Sequence, residues 1–291
     1  MRTQVSRYHF GLIGFPLGHS LSPTIHQAAL MALGAEGEYT LYPLQPENFQ
    51  AGLESLLSRL RRNEIQGLNV TIPYKQAVIP FLDLLTPLAQ RVGAVNTLFM
   101  EGKKLVGDNT DVPGFLKDLE NCALPNAGEE RCALVLGAGG SASAAAYALL
   151  NDGWQVTIAA RRLEQAETLI QELKGDDLPS QAIPLSAEAL AASCAQTRPV
   201  LIVNATPVGM YPNVQGNPWP EGAALPGGAF VYDLIYRPRQ TAFIRMAQQA
   251  GCQAVDGAGM LVEQAALSFE RWTARTAPRQ AMRQALEAAL V

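Results

Sequence analysis

Short apolar strands alternate with longer helical patterns along this chain, and this alternation restricts it to an α/β fold with parallel strands. In the first part of the chain, strands are predicted at residues 10–15, 39–44 and 67–72. Helical periodicity covers residues 23–33 and 46–62, and each segment begins with a proline, which a first helical turn tolerates. A hairpin is predicted from residues 95–100 and 104–108.

A second domain is predicted beyond the segment Asp111-Val112-Pro113-Gly114, because 291 residues exceed the usual size of one compact domain. Its predicted strands are residues 132–136, 155–160, 200–204, 230–235 and 253–256. Helical patterns cover residues 141–150, 261–274 and 278–290. The Pro- and Gly-rich segment 207–226 is typical of either a functional loop or a mobile one.

Composition excludes several classes of function. A net charge of −4 provides no general basic field, so nucleic acid and membrane surfaces are not expected partners. The four cysteines are widely spaced and form no C-x-x-C pair, which argues against a zinc site and indicates a reducing compartment. The N-terminus, residues 1–8, leads into a glycine-punctuated strand rather than an apolar signal segment, and we therefore expect a cytoplasmic protein.

A glycine loop indicates a dinucleotide cofactor. Gly137, Gly139 and Ala142 fit the pattern G-x-G-x-x-A between a strand and a helix, where backbone N–H groups can approach a pyrophosphate. After the next strand, Arg161 and Arg162 stand where NAD-binding proteins place an acid, which favours the 2′-phosphate of NADP. The alternatives are a tight turn that binds no nucleotide and two arginines at a solvated helix start.

Lys75 is the candidate acid/base. It ends the segment Asn69-Val70-Thr71-Ile72-Pro73-Tyr74-Lys75, in which an apolar strand runs into a turn stiffened by proline. Hydride transfer at a carbinol carbon requires a proton donor and acceptor, and a partly shielded lysine can serve as both. Thr71 and Lys75 can both point toward the carboxyl end of the strand, where open α/β sheets bind ligands. The alternative is an ordinary surface lysine.

Three further polar residues are candidates for the same site. Asp111, in Asn109-Thr110-Asp111, could hydrogen-bond a substrate hydroxyl and hold an ammonium group in position. Ser20 and Ser22 flank Leu21, so two hydroxyls could bind a carboxylate from one side. Asp111 and Ser22 could instead be helix N-caps. His19 and His26 lie seven residues apart without a nearby third ligand, so no metal site is expected.

These motifs together resemble those of the shikimate/quinate dehydrogenase family over essentially the whole chain. The matching segments, in chain order, are residues 18–23, 69–75, 93–97, 107–111, 137–141, 204–210, 232–236 and 259–264. The resemblance implies NADPH-dependent, reversible reduction of 3-dehydroshikimate to shikimate, a step toward the aromatic amino acids. It also implies that Lys75 is the acid/base and Asp111 its catalytic partner.

The resemblance implies a substrate-binding set comprising Ser20, Ser22, Thr71, Lys75, Asn96, Asp111, Tyr236 and Gln264. The implied cofactor-binding set comprises Gly137, Ala138, Gly139, Gly140, Ser141, Arg161, Arg162, Thr206, Met210, Leu234 and Gly257. No metal is implied. The implied fold is an N-terminal α/β substrate domain, residues 1–111 with the returning C-terminal helices 258–291, and a Rossmann-type NADP domain, residues 112–257. Substrate and nicotinamide would meet in the cleft between the domains.

The chain departs from the family pattern at the adenosine phosphate site. Ala160-Arg161-Arg162 replaces the usual Asn-Arg-Thr, and Gln165 stands where a lysine is usual. These departures leave open a relaxed use of NAD, and a preference for quinate is a further alternative. A non-catalytic NADP-binding regulatory protein is a third interpretation, against which the retention of Lys75, Asp111 and Gln264 argues. The sequence does not determine the oligomeric state, for which a homodimer is the assembly considered.

Overall fold

The computed structural model describes residues 7–124, 131–173 and 180–290. Residues 1–6, on which part of the N-terminal prediction rests, lie outside the described residues. The chain forms two compact units. The first consists of Met1–Thr110 with Val262–Val291, and the second of Asp111–Leu261.

The first unit contains a six-stranded mixed sheet. In chain order its strands are β1 (Tyr8–Gly14), β2 (Gly37–Pro43), β3 (Gly67–Val70), β4 (Leu84–Leu85), β5 (Thr97–Glu101) and β6 (Lys104–Asp108). The spatial order is β2-β1-β3-β5-β6-β4. β1 pairs in parallel with β2 and β3, and β4 pairs in parallel with β6. The hairpin strands β5 and β6 are antiparallel, and β5 is antiparallel to β3.

The second unit contains a six-stranded sheet in which every pairing is parallel. Its strands are β7 (Cys132–Leu136), β8 (Gln155–Ala160), β9 (Ser180–Pro184), β10 (Leu201–Asn204), β11 (Phe230–Asp233) and β12 (Gln253–Val255). The spatial order β12-β11-β10-β7-β8-β9 is the strand order of the Rossmann fold. Ligands of such sheets bind where the order reverses, which here lies between β7 and β10.

Ten α-helices lie in the described part of the chain. They are α1 (Ser22–Ala32), α2 (Phe49–Arg61), α3 (Pro87–Val92), α4 (Asp111–Leu119), α5 (Gly140–Asn151), α6 (Leu163–Leu173), α7 (Ala187–Thr197), α8 (Ala242–Gln249), α9 (Ala258–Thr273) and α10 (Arg279–Ala289). The four leucines of α2 show why such segments become helices. Leu53, Leu56, Leu57 and Leu60 repeat at helical spacing and are all buried in the core of the first unit.

The C-terminal helices pack on N-terminal elements of the first unit. α10 packs against α1. On α9, the rings of Phe269 and Trp272 lie 6.0 Å and 4.7 Å from the ring of Phe10 on β1. This return of the chain confirms the prediction that the C-terminal helices belong with the N-terminal sheet, and the predicted two-domain α/β fold is confirmed with it.

Several elements were not predicted. They are β4, β9, α3, α4, α6, α7 and α8. The second unit begins at Asp111, within the segment interpreted as a boundary, and residues 111–114 also form the first turn of α4. Pro113 is tolerated there because the first N–H groups of a helix have no partner within the helix. β9 is an edge strand with four half-buried residues, so it lacks the apolar run that identified the other strands. Among the described residues, no helix is both long and apolar enough to cross a membrane.

Candidate active site

The first sheet has a switch point between β1 and β3. The next strand in the chain, β2, pairs with one side of β1, whereas β3 pairs with the other side. The carboxyl ends of β1 and β3 are held together, since Thr71, the residue after β3, donates its N–H to Ile13 O at 2.8 Å. A Cβ on Gly14 would lie 2.4 Å from Thr71 Cγ2, so glycine is required for this close approach. Candidate residues follow both strands at this point.

Ser20 and Ser22 follow β1 and bond to each other. Ser20 Oγ donates to Ser22 Oγ at 3.2 Å, and Ser22 N–H donates to Ser20 Oγ at 3.3 Å. Ser22 is the first residue of α1, and the N-cap position is Leu21, which has no capping side chain. The N-cap interpretation of Ser22 is therefore wrong, and the structure does bring the two hydroxyls together.

Thr71 and Lys75 follow β3 in a turn that is anchored on both sides. Tyr74 N–H donates to Thr71 O at 2.9 Å, and the Tyr74 hydroxyl donates to Leu44 O at 2.5 Å. The Tyr74 ring also stacks on Phe49 with centroids 4.0 Å apart. Val95 N–H donates to Lys75 O at 2.8 Å. Lys75 is half-buried, and its backbone is held against the segment that leads to Asn96.

Asn96 and Gln264 meet in the first unit although 168 residues separate them. Asn96 is buried and Gln264 half-buried. Asn96 Nδ2 donates to Gln264 Oε1 at 3.4 Å, and Asn96 Oδ1 accepts the backbone N–H of Thr110 at 2.8 Å. The residue before α4 is therefore tied to one of the candidate substrate-binding amides.

Asp111 and Tyr236 lie in the second unit. Asp111 is the first residue of α4, and it is buried with 4% exposure. Tyr236 is half-buried and follows Ile235, whose carbonyl accepts the backbone N–H of Gly257 at 3.0 Å. Lys75, Asn96 and Gln264 belong to the first unit.

The glycine loop follows β7 at the switch point of the second sheet. Gly137 has a φ of +108°, and a Cβ there would lie 3.1 Å from Thr206 Cγ2, so a side chain would strain this turn. A Cβ on Gly139 would meet nothing within 4 Å. Gly139 is the N-cap of α5, so Gly140 and Ser141 form the first turn at the positive end of that helix. An open space at a helix N-terminus fits a pyrophosphate.

Thr206 faces this loop from the end of β10. Its N–H and hydroxyl both donate to Asn204 Oδ1, at 3.0 and 2.7 Å. Asn204 Nδ2 donates in turn to Asp233 Oδ1 at 2.8 Å, and Thr241 Oγ1 donates to Asp233 Oδ2 at 2.7 Å. Burial raises the pKa of Asp233 to about 6, against the lowering effect of these hydrogen bonds. A buried polar chain therefore supports the Thr206 side of the switch point.

The remaining cofactor candidates lie at the same edge of the second sheet. Arg161 and Arg162 are exposed between β8 and α6, and Gly137 N–H donates to Ala159 O, two residues before Arg161. Leu234 N–H donates to Asn204 O at 3.0 Å. A Cβ on Gly257 would lie 2.2 Å from Leu234 O, so glycine is required there. Met210 is 39% exposed in the loop that follows β10.

That loop, residues 207–226, is anchored at one residue in particular. Trp219 is buried in the core of the second unit, and its Nε1 donates to Ala223 O at 2.9 Å.

Across the described residues, no group of three or more His, Cys, Asp and Glu side chains is placed to hold a metal ion. His19 is exposed and His26 fully buried.

The polar residues that support these candidates were not predicted from the sequence. In the first unit they are Asn69, Thr97, Thr110 and Ser268, all buried. In the second they are Asn204, Asp233 and Thr241, also buried. One signal was available, because Asn69 interrupts an apolar strand and Ser268 lies one helical turn from Gln264.

A Rossmann sheet with a glycine loop at its switch point, joined to a second α/β unit, defines a two-domain dinucleotide-binding protein of the oxidoreductase class. Residues 12–98 match the model of the shikimate dehydrogenase substrate-binding domain, and residues 257–287 match that of the shikimate 5'-dehydrogenase C-terminal domain. A shikimate dehydrogenase (NADP(+)) of Salinibacter ruber is 42% identical over 280 residues, covering 95% of this chain and 96% of that protein. The chain belongs to the shikimate dehydrogenase family.

Solved structures of similar proteins agree with this family assignment. The shikimate 5-dehydrogenase of Thermus thermophilus, in complex with NADP(H) and shikimate, is 37% identical with a TM-score of 0.82. The match covers 97% of this chain and all of that one. The quinate dehydrogenase of Corynebacterium glutamicum, in complex with NAD, is 29% identical with a TM-score of 0.84, over 97% and 99% of the two chains.

Proposed function

We propose that this protein catalyses the NADPH-dependent, reversible reduction of 3-dehydroshikimate to shikimate. The main support is that the chain matches relatives of its family that are NADP(+)-dependent shikimate dehydrogenases, and the match covers nearly the whole chain. The Thermus thermophilus relative binds both NADP(H) and shikimate. Ser20, Ser22, Thr71 and Lys75 follow the strands at the switch point of the first sheet, and the glycine loop follows β7 at that of the second, where this type of fold binds ligands.

The second unit would hold the cofactor. Gly137 to Ser141 would receive the pyrophosphate at the start of α5, where Gly139 leaves open space. Arg161 and Arg162 would bind the 2′-phosphate, since both are exposed after β8 and no acid stands at that strand end. Thr206, Met210, Leu234 and Gly257 would line the nicotinamide end. When bound, NADPH would supply the hydride that reduces the substrate carbonyl.

The proton steps would fall to Lys75 and Asp111. During reduction, the Lys75 ammonium would give a proton to the oxygen that becomes the hydroxyl, and during oxidation the Lys75 amine would take it back. Asp111 would accept a hydrogen bond from that hydroxyl and hold the ammonium in place. The anchored turn between Thr71 and Tyr74 limits the positions that Lys75 can take, which favours this role over that of a freely moving surface lysine.

The remaining side chains would bind the substrate. The hydroxyls of Ser20, Ser22 and Thr71 would hold the carboxylate, and the two serines are already 3.2 Å apart. Asn96, Asp111, Tyr236 and Gln264 would bind the ring hydroxyls and neighbouring groups. We propose residues 1–111 with 258–291 as the substrate domain and residues 112–257 as the cofactor domain.

A quinate or NAD-dependent activity is the second candidate function. Ala160 and Gln165 differ from the family pattern at the phosphate site, and the Corynebacterium glutamicum relative is a quinate dehydrogenase in complex with NAD. The test is to measure kcat/KM for NADP⁺ and NAD⁺ with shikimate and with quinate. A preference for shikimate with NADP⁺ supports the proposal. A preference for quinate or NAD⁺ moves the protein to the second function, and no activity with any pair overturns both.

We also propose a cytoplasmic location, in keeping with the cysteine usage of the chain, and a homodimer. Cell fractionation tests the first. Light scattering of the purified protein tests the second, since a monomeric mass at working concentrations would contradict it.

A further inference from the structure

Ser268 lies at the centre of a buried polar cluster in the first unit. Ser268 Oγ is 2.9 Å from Asn69 Nδ2, 2.8 Å from Thr97 Oγ1 and 3.1 Å from Thr110 Oγ1. It can also donate to the carbonyl of Gln264 at 3.1 Å. Ser268 and Thr97 are fully buried. We call Asn69, Asn96, Thr97, Thr110 and Ser268 the Ser268 network.

The network determines how the Asn96 amide is oriented. Asn96 Oδ1 accepts the backbone N–H of Thr110, which can only donate, so Nδ2 must be the group that faces Gln264 Oε1. Thr97 Oγ1 adds a second donor to Asn96 Oδ1 at 3.0 Å. The Asn69 amide is oriented in the same way, because its Nδ2 donates to the carbonyl of Asn96 at 3.0 Å.

The three hydroxyl members each lie close in sequence to a residue of the proposed substrate site. Thr97 follows Asn96, Thr110 precedes Asp111, and Ser268 lies one helical turn after Gln264. Buried hydroxyls and amides that satisfy one another give a rigid arrangement, whereas removing one of them leaves its partners unpaired away from water. The cluster therefore links three separate segments of chain at the positions where they present candidate ligands.

We infer that Ser268 and Thr97 are positioning residues, which hold Asn96 and Gln264 in the orientation that binds the ring hydroxyls of the substrate. This inference rests on the proposed function. The two hydroxyls act through Asn96 and Gln264. Because such binding is equally strong before and during the reaction, its loss should raise KM and leave kcat nearly unchanged.

Thr97→Val is the direct test, since valine has the shape of threonine without the hydroxyl. The KM for shikimate, and its Kd measured by calorimetry without cofactor, should each rise about tenfold, the equivalent of one hydrogen bond. The kcat and the KM for NADP⁺ should change less than about twofold. Thr97→Ser, which keeps the hydroxyl, should restore wild-type values.

Ser268→Ala provides an independent variant should Thr97→Val fold poorly, and it should show the same rise in KM. In the double variant the KM for shikimate should rise no further than in either single variant, because both substitutions disrupt the same hydrogen-bond network. The matched control is Thr273→Val on the same helix. Thr273 Oγ1 donates to Phe269 O at 2.8 Å, the same kind of bond that Ser268 makes to Gln264 O.

A shikimate Kd within about twofold of wild type in both Thr97→Val and Ser268→Ala would overturn the inference alone. So would an equal rise in Thr273→Val, because the effect would then be a general loss of stability. An inactive wild-type protein would instead overturn the proposed function, and with it this inference.

Discussion

The imidazole of His26 lies parallel to the ring of Tyr39, with centroids 4.4 Å apart and 10° between the ring planes. Phe10, Phe269 and Trp272 surround the same imidazole. Among the described residues, neither ring nitrogen has a hydrogen-bond partner. Burial lowers the pKa of His26 from 6.5 to about 3. His26 is thus a neutral ring of the core rather than a ligand.

This burial predicts an acid-sensitive fold. The unfolded chain takes up a proton near pH 6.5, whereas the folded protein does so only near pH 3, so stability falls as the pH drops through that range. We expect His26 to remove about 2 kcal/mol of unfolding free energy between pH 7 and pH 5. In urea unfolding, His26→Phe should lack this loss, and His19→Phe, an exposed control, should keep it. An unchanged pH slope in His26→Phe would contradict the assignment.

Asp233 predicts the opposite dependence. Its pKa is raised from 3.8 to about 6. Its contribution to the stability of the fold is therefore fully present below pH 3.8 and is lost as the pH rises to about 6. The loss amounts to about 3 kcal/mol. From pH 4 to pH 7, Asp233→Asn should therefore gain about 2 kcal/mol of stability relative to wild type, since part of the loss has already occurred at pH 4. Asp152→Asn, at a half-exposed site, is the control, and parallel curves for Asp233→Asn and wild type would refute the prediction.

Lys75→Met should lower kcat for shikimate oxidation by about 10²–10⁴-fold, the usual contribution of a positioned acid/base. Methionine keeps the length of the side chain but cannot carry the proton. The KM for shikimate should rise far less than kcat falls. Lys103→Met, at an exposed hairpin position, is the matched control. Near-normal kcat in Lys75→Met would remove Lys75 from the chemistry.

Arg161→Ala should lower kcat/KM for NADP⁺ by about 10- to 100-fold, since a charge-assisted hydrogen bond to the 2′-phosphate is lost. NAD⁺ lacks that phosphate, so its kcat/KM should be nearly unchanged in the same variant. The same measurements on Arg162→Ala show how much each of the two guanidinium groups contributes to the use of NADP⁺. Equal losses with both cofactors would show that Arg161 acts on folding or on the pyrophosphate instead.

Much of the fold could be predicted because its signals are local. Apolar runs of β7, β8, β10 and β11 and the leucine spacing of α2 arise from neighbouring residues, and the glycine loop is a contiguous pattern. Elements without such signals were missed, as with the half-buried edge strand β9. The candidate residues Ser20, Ser22 and Lys75 were found by the same means, since motif and turn chemistry lie within a few residues of one another.

The sequence by itself therefore determined the two α/β sheets, the nucleotide loop and the family to which the chain belongs. Only the tertiary structure showed that Ser268 meets Asn69 across 199 residues, and that Asn96 donates to Gln264. It alone placed His26 among aromatic rings and linked Asp233 to Thr206 through the Asn204 amide. The physical reason is that desolvation and hydrogen-bond pairing depend on which distant segments pack together, whereas periodicity and turn preference are properties of adjacent residues.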